Sequence, residues 1–138
     1  ALSKRALDAG GIVTCVEVQP SLAIELEQDS RYAAVLAMDF LDLSPNLTGF
    51  FDRIVMNPPF DRGRDIDHVD HAIEFLAPGG KLIAIMSAGT EFRTDAKAVA
   101  FRAKVDRYRG RFHDLPAGSF AEAGTMVNTI YVTLHKPG

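Results

Sequence analysis

An amide, two prolines and an aromatic ring stand in a row at Asn57-Pro58-Pro59-Phe60. Each proline fixes its own φ and bars the residue before it from the helical region. The expected product is a stiff, extended loop that begins on a side-chain amide. Pro58 keeps a free carbonyl oxygen, and Phe60 puts an aromatic face a few residues on. Two acceptors beside an aromatic platform suit a planar substrate bearing an NH2 group. The alternative is a plain proline-rich turn; the strand-like stretch in front, Asp52-Arg-Ile-Val-Met56, argues against it. Two acids, Glu17 and Asp39, also follow apolar runs. A second group, Asp65, Asp67, His68, Asp70 and His71, has metal-ligand residue types. Its spacing is far from a zinc signature, and acids suit the positive end of a helix dipole. A solvated helix start is expected there, and no metal site is assigned. Between positions 91 and 111 lie Arg93, Lys97, Arg102, Lys104, Arg107, Arg109 and Arg111, against Glu91, Asp95 and Asp106, a net +4. That stretch is either a phosphate-binding face or a solvated helix of mixed charge.

Elements that would position these groups follow from the hydrophobic pattern. Residues 1–8 have helical composition, stopped by Gly10-Gly11. The β-branched, apolar residues 11–18 predict a buried strand. Pro20 and Ser21 open a short helix to about Gln28. Residues 33–38 and 51–56 are further strands, ending at Asp39 and Asn57. A helix over 67–76 is closed by Pro78-Gly79-Gly80, and a fourth strand covers 81–86. The pattern predicts one long helix over 90–108, with Phe92, Ala96, Val99, Ala103 and Tyr108 inward. Residues 111–115 and 128–136 are the last strands.

Strand–helix–strand alternation with short loops predicts an α/β fold with a mainly parallel sheet in a single domain, 1–138. The last two strands lack a convincing helix between them, so they are expected to pair antiparallel at one edge. Ligands of such sheets bind beyond the carboxyl ends of the strands, and Glu17, Asp39 and Asn57 are expected there, at the same edge of one sheet and around one concavity.

Composition limits the function classes. The chain has 15 Lys+Arg against 18 Asp+Glu, a net charge of −3, which argues against binding nucleic acid by bulk charge alone. A local basic face stays open. The longest apolar run, residues 81–89, falls well short of the ~20 residues of a membrane-spanning helix. The single cysteine, Cys15, excludes an internal disulfide and a cysteine-built zinc site, and is expected to be a small buried hydrophobe. Cytoplasm is the default compartment.

Phe51-Asp-Arg-Ile-Val-Met-Asn-Pro-Pro-Phe60 resembles the catalytic motif of class I S-adenosylmethionine-dependent methyltransferases that act on amino or amide nitrogens. Within them it resembles the adenine-N6 DNA methyltransferases, especially the small ones of phages and plasmids. Leu76-Ala-Pro-Gly-Gly-Lys-Leu82 resembles the turn and strand that follow that motif, and the likeness runs over nearly the whole chain. The resemblance implies a Rossmann-like sheet with S-adenosyl-L-methionine as cofactor. It implies that Asn57 and the Pro58 carbonyl hold an exocyclic amino group and that Phe60 stacks on the flipped base. Glu17 would bind the cofactor ribose, Asp39 the cofactor adenine amino group, and Phe40 would pack on that adenine. Arg62 and Arg64 follow the loop directly and are placed to reach phosphates near the base. Residues 120–129 resemble the segment before the last strand, where Phe120 either lines the base pocket or packs in the core.

DNA adenine is the expected target; RNA, a protein glutamine amide, or a noncatalytic methyltransferase fragment are the alternatives. The sequence departs from the family in lacking the Gly-rich cofactor loop and its preceding strand, and it lacks a target-recognition domain. A gap in the sheet is therefore expected beside residues 12–18. An upstream segment, a partner chain or second copy, or direct pairing of the flanking strands would fill it.

Overall fold

The protein, described from a computed structural model, is defined over residues 8–115 and 129–138. The helix expected over 1–8 lies outside these residues except for Asp8, and so does the 120–128 segment with Phe120. The hydrogen-bonded strands form two sheets, in an N-terminal unit up to Leu47 and a C-terminal unit from Thr48.

In the N-terminal unit, β1 (Thr14–Val16) and β2 (Ala34–Leu36) pair in parallel, Thr14 opposite Ala34 and Val16 opposite Leu36. Helix α1 (Pro20–Glu27) makes the crossover, with Pro20 at its first position, where the missing N–H costs nothing. Both strands are shorter than the apolar runs suggest. Backbone bonds from Ala33 N–H to the Val13 carbonyl (2.8 Å) and from Glu17 N–H to the Leu36 carbonyl (2.9 Å) continue the pairing just past them. Cys15 and Tyr32 are buried together, with Val13, Leu26 and Val35 around them.

A single turn, α2 (Pro45–Thr48), precedes the C-terminal unit. Its sheet runs in the order β3 (Phe51–Met56), β4 (Leu76–Ser87), β6 (Thr129–His135), β5 (Arg111–Asp114). β3 and β4 are parallel, and β6 is antiparallel to both β4 and β5. The antiparallel pairing at one edge is as the sequence indicated, with β6 one place in from the outermost β5. The cross-strand pairs Leu82–Leu134, Ala84–Val132 and Met86–Ile130 put six buried apolar residues on one face. Helix α3 (Arg64–Ile73) packs on β4 through Ile66, Val69, Ala72 and Ile73, all buried, and helix α4 (Ala96–Arg107) packs beside α3.

Three sequence expectations are corrected. First, α3 starts at Arg64 and stops at Ile73, and Leu76 already belongs to β4. The Ala77-Pro78-Gly79-Gly80 turn is absorbed as an irregularity in the β3–β4 ladder, between the pairs Phe51–Leu76 and Arg53–Lys81. Second, the long helix is broken. A 3-10 turn at Ala88–Glu91 ends, and α4 begins only at Ala96, because the Asp95 carboxylate caps its N-terminus by accepting from Ala98 N–H at 3.2 Å. That start sets the rotation of the helix, so Ala98, Phe101 and Val105 turn inward; Phe92 (71% exposed) and Val99 (49% exposed) face solvent. Third, Glu17, Asp39 and Asn57 do not follow strands of one sheet: among the described residues β1 and β2 form one hydrogen-bonded sheet, and β3 belongs to another. Among the described residues β3 has a strand neighbour on one side only, and its Val55 is 54% exposed.

Two residues lock the C-terminal unit. Asp65, in the first turn of α3, is fully buried, and its carboxylate accepts from Ile66 N–H and from Ser87 N–H at the end of β4, each at 3.0 Å. Gly110 closes α4 by donating to the Val105 carbonyl at 2.7 Å, and a Cβ there would strike the Thr133 carbonyl and come within 2.7 Å of the Leu134 side chain. Asp65→Ala leaves two amides without their acceptor and is expected to cost about 1–3 kcal/mol for each amide left unsatisfied. Gly110→Ala must push β6 off α4 and is expected to cost about 1–3 kcal/mol. Urea denaturation curves check both, and an unchanged midpoint in either variant contradicts the role given to that residue.

Candidate active site

Asn57 stands at the carboxyl end of β3, beside the parallel strand β4. Its side chain is exposed, Pro58 is buried, Pro59 is exposed and Phe60 is half-buried. The buried Pro58 ring, between exposed Asn57 and Pro59, anchors the loop and leaves the amide presented to solvent. The loop then turns sharply. Arg62 (φ 54) and Gly63 (φ 72) are both left-handed, which reverses the chain into α3. A left-handed arginine is uncommon and is held only where its surroundings dictate it. Asp61 and Arg64 brace the turn, with Arg64 Nη2 donating to Asp61 Oδ1 at 2.7 Å and Nε at 3.1 Å. That hydrogen-bonded guanidinium holds the Asp61 carboxyl below the usual carboxylate range. Behind the turn, the buried Asp65 ties the start of α3 to the end of β4, so the loop after β3 and the loop after β4 share one anchor.

The two acids of the N-terminal unit lie at the matching ends of β1 and β2, brought to the same edge by parallel pairing. Glu17 Oε2 accepts from Gln19 N–H at 3.0 Å, and Asp39 Oδ1 accepts from Leu41 N–H at 2.9 Å. Each carboxylate is thus fixed by its own turn through one oxygen. The other oxygen has no hydrogen-bond partner among the described residues. Asp39 also caps the short 3-10 turn Phe40–Asp42, in which Phe40 is half-buried. Glu17, Asp39 and Phe40 belong to the N-terminal unit, and Asn57, Pro58, Pro59 and Phe60 to the C-terminal one.

The suggested metal-type cluster resolves into separate pairings. Asp65 is buried, Asp67 pairs with Lys97 at 2.9 Å, Asp70 with Lys104 at 3.0 Å, and His71 lies edge-on to Phe75 and 3.7 Å from Glu74. The full burial of Asp65 was missed in the sequence, where it reads as one more acid at a helix start.

No protein-family model and no curated protein matches the sequence. Solved structures do match the fold. The M protein of the type I restriction enzyme EcoKI superposes with a TM-score of 0.71 at 17% identity, covering 90% of this chain and 31% of that one. The plantazolicin methyltransferase BpumL, in complex with a desmethyl-plantazolicin analogue and S-adenosylhomocysteine (SAH), gives a TM-score of 0.64 at 8% identity, covering 99% of this chain and 72% of that one. The N-methyltransferase NodS from Bradyrhizobium japonicum, with S-adenosylhomocysteine, gives 0.58 at 18% identity, covering 92% and 67%. The chain spans less than a third of the restriction-enzyme subunit. At these identities the likeness is one of fold: the α/β fold of S-adenosylmethionine-dependent methyltransferases.

Proposed function

We propose that the chain is the catalytic portion of an S-adenosylmethionine-dependent N-methyltransferase acting on an exocyclic amino group, with adenine N6 in DNA as the target. The observation that carries this is the exposed Asn57 amide on a loop anchored by buried Pro58, at the carboxyl end of a parallel strand. An adenine amino group is a poor nucleophile because its lone pair is conjugated with the ring. Asn57 Oδ1 and the Pro58 carbonyl would accept its two N–H bonds. That draws the nitrogen toward tetrahedral geometry and frees the lone pair for attack. No strong base is needed, because positioning and electrostatics lower the barrier. Phe60 supplies the stacking face for a base taken out of its helix.

Bound S-adenosylmethionine supplies an electrophilic methyl group on a sulfonium. The residues present suit it. Ribose hydroxyls and an adenine amino group need fixed acceptors, and Glu17 and Asp39 each offer a carboxylate oxygen oriented by a local backbone bond. Phe40 adds a half-buried aromatic surface next to Asp39. Neighbours crystallised with the product SAH support the cofactor assignment. The likeness to a restriction-enzyme M protein favours DNA over RNA or a protein amide. The same reading calls for a strand against the open side of β3, carrying the glycine-rich loop that grips the methionine end of the cofactor.

Asn57→Ala is expected to lower methyl transfer to adenine-containing DNA by roughly 10²–10³-fold. Cofactor affinity, read by calorimetry, should hardly change. Unaltered turnover would remove Asn57 from catalysis. Glu17→Ala is expected to weaken cofactor binding by ~1.5–3 kcal/mol, since a charged acceptor is lost. A calorimetric titration that gives the wild-type dissociation constant would leave Glu17 as a surface carboxylate.

A further inference from the structure

The seven basic residues between 91 and 111 do not act alike. Arg102 donates to the Thr90 carbonyl at 3.0 Å and Lys104 pairs with Asp70 at 3.0 Å, so both hold α4 in place. Arg93 and Lys97 instead converge on the turn after the Asn57 loop. Together with Arg62, Gly63 and Asp95 they line an open cleft of about 330 Å³. That volume lies within the range of ordinary ligand sites, ~300–1,000 Å³.

Gly63 makes the convergence possible. A Cβ there would come within 3.3 Å of Lys97 Cδ and 3.8 Å of Arg93 Nη2, so both side chains lie directly over its backbone. The cleft already contains carboxylates: Lys97 Nζ is 2.9 Å from Asp67, and Arg93 Nε is 3.4 Å from Asp95. Asp95 spends its other oxygen capping α4. Three cations against two carboxylates leave the cleft positive. Arg93 Nε has the Asp95 carboxylate at 3.4 Å but makes no hydrogen bond to it. Arg62 is two residues beyond Phe60, so their Cα atoms are at most about 7 Å apart.

We propose that the Arg62–Arg93–Lys97 cleft binds a backbone phosphate of the nucleic acid next to the target nucleotide. The inference rests on the methyl-transfer reading for its choice of nucleic acid and deepens it by giving the substrate a second anchor. A guanidinium fork suits a phosphate and Lys97 adds a point charge. The contact is blind to sequence, so it positions the strand while the Asn57 loop selects the base.

The test is binding of a fluorescein-labelled, mixed-sequence single-stranded DNA to the full chain, across a series of salt concentrations. Asparagine tolerates a left-handed backbone, so the cleft variant is Arg62→Asn combined with Lys97→Gln. Arg107→Gln, an exposed cation outside the cleft, is the charge control. The cleft variant should bind roughly 10- to 100-fold more weakly, and the slope of log affinity against log salt should flatten by about 0.7. The control should match the wild type, and circular dichroism should show all variants folded. Three results overturn the proposal: no DNA binding by the wild type, equal losses in cleft variant and control, or displacement of the DNA by inorganic phosphate or polyglutamate at equal concentration of charge. Asn57→Ala separates the two ideas. It should keep DNA affinity while losing turnover. A cleft result without any methyl transfer sinks the catalytic reading alone, and turnover with a cleft that ignores DNA sinks the cleft alone.

Discussion

Two strands that pair in parallel finish at the same edge, and the chain must cross over the sheet to start the second. That geometric obligation gathers the chemistry in each unit. β1 and β2 deliver Glu17 and Asp39 to one edge, with α1 as the crossover. β3 and β4 deliver Asn57 and the 87–91 turn to another, with α3 between. The antiparallel β6 carries no such obligation. Its role is to bury the far side of β4, where Ile130, Val132 and Leu134 are shielded from water.

Fixing a loop at a strand end is costly unless something below it is rigid. Pro58 and Pro59 supply stiffness from covalent geometry, and Asp65 supplies it from electrostatics. A buried carboxylate is tolerable only when backbone donors compensate it, and here two amides from different elements do so. The arrangement couples the loop after β3 to the end of β4. Movement of one would expose the charge that stabilises the other.

β3 and α1 could be read from the sequence almost to the residue. Their signals are local: β-branched apolar runs for the strand, a proline at the first turn for the helix. The Asn-Pro-Pro-Phe loop was equally legible because proline dictates its neighbours' backbone. The inward face of α4 was not. Its rotation depends on where the helix starts, and that is decided by the Asp95 cap, which reads in the sequence as one charge among ten. The basic stretch was ambiguous for a similar reason. Charge patterning gives a total, and only packing separates Arg102 and Lys104, which lie away from the cleft, from Arg93 and Lys97, which line it with Arg62 while Lys97 also pairs with Asp67. The place of Glu17 and Asp39 just past strand ends was legible; the hydrogen bonds that orient them depend on the turns that follow.

Cys15 is the sole sulfhydryl in the chain, and it sits mid-strand in β1, 8% exposed. An alkylating reagent reaches it freely only when the packing of Tyr32 and Leu26 around it loosens. The rate of its modification in native buffer is therefore a clock for local opening of the N-terminal unit. The same clock would slow if a nucleoside bridged the ends of β1 and β2, since a ligand that binds only the closed sheet shifts the equilibrium toward it.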